Sequence, residues 1–157
     1  MTAKRREILL DALSSTVTAA AAFLAKADTA LTDGHQTVRG LLANSVFWHE
    51  QYVAIAHALL DGREPELMDE PYAQLDAIAR NQFRNESNLM LAARLDTLNQ
   101  ELIEVLRRLP DWSVAFPDRE NCKECTVERR VEKIEAYIRN SVNSLRRAEP
   151  KQNGVPT

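Results

Sequence analysis

The stretch 41-LLANSVFWHEQYVAIAH-57 decides the fold. Its apolar residues recur at intervals of three and four, the period of an amphipathic helix turning about 100° per residue. On that wheel Val38, Leu41, Leu42, Ser45, Trp48, Tyr52, Ile55, Ala56 and Leu59 share one side. His49 falls inside this arc next to Ser45 and Tyr52, Asn44 and His57 fall at its two edges, and Phe47 points the other way. Ser45, His49 and Tyr52 on adjacent turns make a polar spot in an apolar layer, and a buried polar group without a partner costs about 1–3 kcal/mol. Two readings stand side by side. Either His49 is a packed imidazole bonded to Tyr52, Ser45 or a carboxylate of another helix, or it lines a pocket at the bundle centre as a base or ligand. An outward Phe47 is either a lone surface aromatic or part of a dimer contact.

The same period continues on both sides of this helix. A first helix is expected from about Lys4 to Lys26, with Ile8, Leu9, Ala12, Leu13, Val17, Ala20, Phe23, Leu24 and Ala27 as its buried side. Asp33-Gly34 is a turn signal, and Thr37 is placed to cap the second helix, which runs to Leu60. Gly62, Pro65 and Pro71 then punctuate a long crossover. A third helical segment begins at Tyr72 and is interrupted near Asn85-Glu86-Ser87 before a long helix through Leu109, whose stripe includes Leu89, Leu91, Leu95, Leu98 and Leu102. Residues 110–125 read as one irregular segment. The last helix starts at Thr126, a cap with an imperfect match to the S/T-x-x-E box, and carries Val127, Val131, Ile134, Ile138, Val142 and Leu145 on one face. No internal repeat is visible, and no stretch alternates with period two for the length of a strand. The expected fold is all-α: a four-helix bundle over residues 3–148 with a long crossover between helices 2 and 3, followed by a disordered tail at 149–157.

Composition narrows the function classes. The chain has 157 residues, enough for one domain with a real core, and its 4 glycines and 6 prolines leave little material for the turns of a many-stranded sheet. A net charge of −3 is not that of a nucleic-acid-binding surface, and the cluster Arg129, Arg130, Arg146 and Arg147 reads as a solvated helix face. The apolar run near the start is broken by Asp11 and followed by Ser14, Ser15, Thr16 and Thr18, so no signal peptide is expected; "TAAAAFLAKA" is too short for a membrane span. A cytoplasmic protein with no membrane and no nucleic-acid partner is the expectation.

The run "TVRGLLANSVFWHEQYVAIAHALLDGREPEL" resembles the second helix and crossover of the DinB-like superfamily, and most of all its ClbS/DfsB branch. The likeness continues through "LDAIARNQFRNES" and "LDTLNQELIEVLRRLP" and ends with "IEAYIRNSVNSLRRA", so it covers nearly the whole folded chain. Many members of that superfamily hold zinc or nickel with three histidines, one from the second helix and two spaced H-x-x-x-H on the last. Imidazoles at i and i+4 face the same way on a helix, which is why that spacing binds metal. The resemblance places Asn44 at the second-helix position, and Asn140 with Ser144, or Tyr137 with Ser141, at the last-helix pair. No histidine follows His57, so the three-histidine centre is missing and no cofactor is expected. What remains of the family's implications is the metal-independent ClbS-like role: binding, with hydrolysis or sequestration, of a reactive small molecule.

Cys122-x-x-Cys125 precedes the last helix. The spacing is half of a zinc site, and Cys125, at a helix N-terminus near Lys123 and Arg119, is placed for raised reactivity. The pair is open to three readings: inert thiols, a redox pair, or half of a metal site. No βαβ pattern surrounds it, which disfavours a thioredoxin-like role. Three functions are therefore weighed. The first is a small-molecule-binding bundle whose pocket takes Asn44, Ser45, Trp48, His49 and Tyr52 from the second helix and Tyr137, Asn140, Ser141 and Ser144 from the last. The second is a homodimeric interaction bundle, and the third a thiol or zinc protein built on Cys122 and Cys125.

Overall fold

A computed structural model describes residues 2–119 and 122–150. The expected tail at 149–157 lies, from residue 151 on, outside them. Four long helices form the bundle: α1 (Ala3–Lys26), α2 (Val38–Leu60), α4 (Asn88–Arg108) and α5 (Val127–Ala148). A fifth and shorter helix, α3 (Tyr72–Gln82), lies against α2 after the crossover. The fold is an all-α helical bundle, as the periodicity implies.

Local chemistry sets the helix starts. The hydroxyls of Thr2, Thr37, Ser87 and Thr126 accept from the backbone N–H of Arg5, Gly40, Met90 and Arg129, satisfying amide groups that have no partner within the helix. The Ser87 cap, after a break at Phe83, is what separates α3 from α4. Gly34 and Gly62 take positive φ of 93° and 71°, so both turns that bracket α2 use the conformation open to glycine.

Three findings differ from the sequence reading. First, β1 (Ala115–Phe116) pairs antiparallel with β2 (Cys125–Thr126), so the described residues of 110–125 include a short strand-paired strap and are not wholly irregular. Two residues per strand are too few to show alternation. Second, Phe47 is buried rather than outward, because α2 is packed by α3 as well as by α4 and its core positions spread to Ala43, Val46 and Val53. Third, Ile8 and Leu89 are exposed at 52% and 68% and Ala12 is exposed as well, while Leu13, Val17, Ala20 and Leu24 are buried as expected and are joined by Leu10 and Ala21. By length and composition α1 could also cross a membrane; here that apolar stripe is part of the bundle core.

The helices do not close evenly. Helix α1 packs on α4 and α5, and α2 packs on α4, but α2 and α5 barely touch. The bundle is therefore open along one edge, and that edge holds the site.

Candidate functional site

Between α2 and α5 lies a cavity of about 290 Å3, at the small end of the range of ligand pockets. Asn44, Ser45, Trp48, His49 and Tyr52 line it from α2, and Arg130, Lys133, Ile134, Tyr137 and Ile138 from α5. Tyr72, the first residue of α3, and Asp118, from the strap, complete the wall. The α5 residues sit at i, i+3, i+4, i+7 and i+8, one face of a helix.

All five α2 residues expected at a pocket are there, but of the four expected from α5 only Tyr137 lines it. Its hydroxyl accepts from Asn44 Nδ2 at 3.4 Å. Ser141 is buried one turn further along and does not line the cavity. Asn140 is exposed, its side-chain oxygen accepting from Arg139. Ser144 points to the α1–α2 loop, where its hydroxyl donates to Asp33 Oδ2 at 2.6 Å and, with the Gln36 and His35 amides, holds the Asp33 pKa at about 2. The cavity follows α5 toward its N-terminal half, so the C-terminal residues fall outside it.

His49 sits at the floor and is 1% exposed. Its Nε2 lies 3.0 Å from Asn99 Oδ1 on α4, and Asn99 Nδ2 donates to the Leu13 carbonyl of α1 at 3.4 Å. That second bond turns the amide oxygen toward the imidazole Nε2. Burial pushes the His49 pKa down, against the opposing pull of Asn99 and the Ser45 carbonyl, and the ring is neutral. Asn99 is fully buried, and nothing in its own stretch of sequence marks it; its role depends on a partner 50 residues away. One turn before His49, the Ser45 hydroxyl is closed to water and has no hydrogen-bond partner among the described residues, so no nucleophile–base pair is assembled there.

The upper wall is aromatic. Trp48 stacks on Tyr52 with centroids 5.9 Å apart and meets Tyr72 at 5.8 Å. Asp118 accepts from the Tyr72 hydroxyl at 2.8 Å and from Arg130 Nη1 at 3.1 Å, and the two charged side chains are only 11% and 12% exposed. Burial and the Asp118 carboxylate push the Tyr72 phenol well above its ordinary range, and burial does the same to Tyr52. Tyr72, Asp118, Arg130 and Lys133 escaped the sequence reading, because Tyr72 opens the short α3, Asp118 comes from the strap, and the other two sit in a basic helix face that reads as solvated.

Cys122 and Cys125 are free and half-buried. They line a second cavity, of about 500 Å3, that shares Tyr72, Asp118, Arg130 and Lys133 with the first. The Tyr72 hydroxyl is 3.8 Å from Cys122 Sγ. His35 lies in the α1–α2 loop, and His57 faces Glu101 at the surface. Among the described residues no three His, Cys, Asp or Glu side chains come together as a metal site. No protein-family model, curated protein or solved structure matches the chain.

Proposed function

We propose that this chain is a DinB-like bundle without the three-histidine centre, which binds a small molecule in the cleft between α2 and α5. One observation carries the binding reading: α2 and α5 barely touch, and the open edge between them is a cavity of about 290 Å3 lined by Trp48, Tyr52 and Tyr72. Ring surfaces left facing a cavity of that size favour an apolar guest. The family reading draws support from Asn44 and Tyr137, positions that the resemblance assigns to the lost metal ligands and that touch each other across the cleft. The homodimer reading took an outward Phe47 and the basic last helix as the face for a partner; Phe47 is in the core, which leaves that reading only the basic face of α5. A thiol-based reading keeps one observation, that both cysteines line the adjoining cavity.

A thermal-shift screen of small aromatic compounds against the wild type and Ser45→Leu tests the proposal. The leucine fills the cavity floor and removes the unbonded hydroxyl, so the variant is expected to fold. Compounds should raise the melting temperature of the wild type and leave that of Ser45→Leu unmoved. If none shifts the wild type, or hits shift both proteins equally, the cleft is not a ligand site.

A further inference from the structure

We propose that the ligand of this cleft is a flat aromatic molecule of about two fused rings bearing a single negative charge, a deepening that rests on the binding role just proposed. Size comes first. A cavity of about 150 Å3 holds one benzene ring, and this one has about 290 Å3. Shape follows from the walls: Trp48, Tyr52 and Tyr72 present ring surfaces on one side, while Ile134 and Ile138 face the cavity from α5. Such walls favour a planar apolar body.

Charge decides the rest. Asp118 is the one acidic group in the lining, and both of its oxygens are occupied, one by Tyr72 and one by Arg130. Lys133 is exposed at the cavity mouth and makes no ion pair among the described residues, so the lining carries one net positive charge. A cation-binding aromatic cage is the obvious rival, and the structure argues against it. The chain's own Arg119 guanidinium, outside the cavity lining, already lies 4.6 Å from the Tyr72 ring centre, and its charge beside that ring disfavours a second cation. The ring system would thus lie against Trp48, and its anion would meet Lys133 at the mouth.

Titration calorimetry with 2-naphthoate, 2-naphthamide and 2-naphthylmethylammonium tests this, because the three share a ring system and differ in charge. Naphthoate should bind tightest, by about fivefold over the amide, the scale of one exposed ion pair, and the ammonium compound should bind weakest. Lys133→Gln should bring naphthoate down to the affinity of the amide. Equal affinities for the acid and the amide, tightest binding by the ammonium compound, or unchanged naphthoate affinity in Lys133→Gln overturns the charge assignment while the cleft stands as a ligand site. If none of the three binds, the binding role falls with it.

Discussion

Asn99 Oδ1 lies 3.0 Å from His49 Nε2 where neither side chain is more than 1% exposed, tying α4 to α2 through the centre of the bundle. Asn99 also donates to the Leu13 carbonyl, so one amide joins three helices. Removing one member of a buried pair leaves the other unbonded, whereas replacing both with apolar groups of similar shape is close to neutral. Asn99→Leu should therefore lose about 1–3 kcal/mol in urea unfolding at pH 7.5. The double variant His49→Leu/Asn99→Leu should be more stable than Asn99→Leu alone. A double variant at least as unstable as the sum of the two single ones would show that the pair does not act as a unit.

The same burial makes stability depend on pH. The folded His49 pKa lies below its ordinary value of 6.5, so above pH 6.5 the ring is neutral whether the chain is folded or not, and its contribution is complete. Below pH 6.5 the unfolded chain takes up a proton that the folded chain refuses, and stability falls by up to about 1.4 kcal/mol per pH unit until the folded pKa is reached. Asp33, Asp111 and Glu135, whose pKa values are lowered from ordinary values of 3.8 to 4.5, act at more acid pH. Glu50, raised by burial, acts with the opposite sign above 4.5. The urea midpoint should drop between pH 7 and 5.5 in the wild type, and much less in His49→Gln. Parallel slopes in the two proteins would remove His49 as the cause.

These two cases show which parts of the molecule the sequence discloses. A helix face is a local property, and so is a cap: Thr37, Ser45 and His49 sit where periodicity and side-chain chemistry put them. What covers a face is not local. Phe47 reads as outward because the wheel cannot know that α3 will lie on α2, and Ile8 reads as buried because the register of α1 against α4 and α5 is set by all three helices. The site divides the same way. Its α2 wall is legible as a polar spot in an apolar stripe, while Asn99, Tyr72 and Asp118 gain their roles through partners 12 to 86 residues away.

The Asp118–Arg130 pair fastens the strap to α5 and, through Tyr72, to the start of α3. Both charges are largely withdrawn from water, and leaving one of them unpaired is more damaging than losing the pair. Asp118→Ala should cost about 3 kcal/mol and free the Tyr72 hydroxyl, visible as a fall in its pKa toward 10 in a spectroscopic titration. Asp118→Ala combined with Arg130→Met should recover part of the lost stability. A single variant within about 0.5 kcal/mol of wild type would mark the pair as an ordinary surface contact.

Gly62 ends α2 with φ of +71° and an empty surround, since a Cβ built there meets nothing within 4 Å. The cost of a substitution is then purely that of the backbone, about 1–2 kcal/mol for a residue with a Cβ held in the left-handed region. Gly62→Ala should lower the melting temperature by about 3 °C in a chain of this size. Gly62→Asn should lower it less, because asparagine visits that region more readily. Equal losses in the two variants would point to a lost contact rather than to conformation.

Cys122 and Cys125 separate the cleft from a thiol mechanism. Neither is in the core, and among the described residues the thiols make one polar contact, the long Tyr72 to Cys122 approach of 3.8 Å. Tyr72 is held more firmly by Asp118 at 2.8 Å, so removing the sulfur should not release it. The double variant Cys122→Ser/Cys125→Ser is expected to unfold within about 0.5 kcal/mol of wild type and to bind naphthoate with the same affinity. Metal content and free thiols measured on the wild-type protein decide the rest. Stoichiometric zinc with protected thiols, or lost binding in the double variant, would move the functional centre out of the α2–α5 cleft and into the strap. Two titratable thiols with intact binding leave the aromatic wall and Lys133 to do the work.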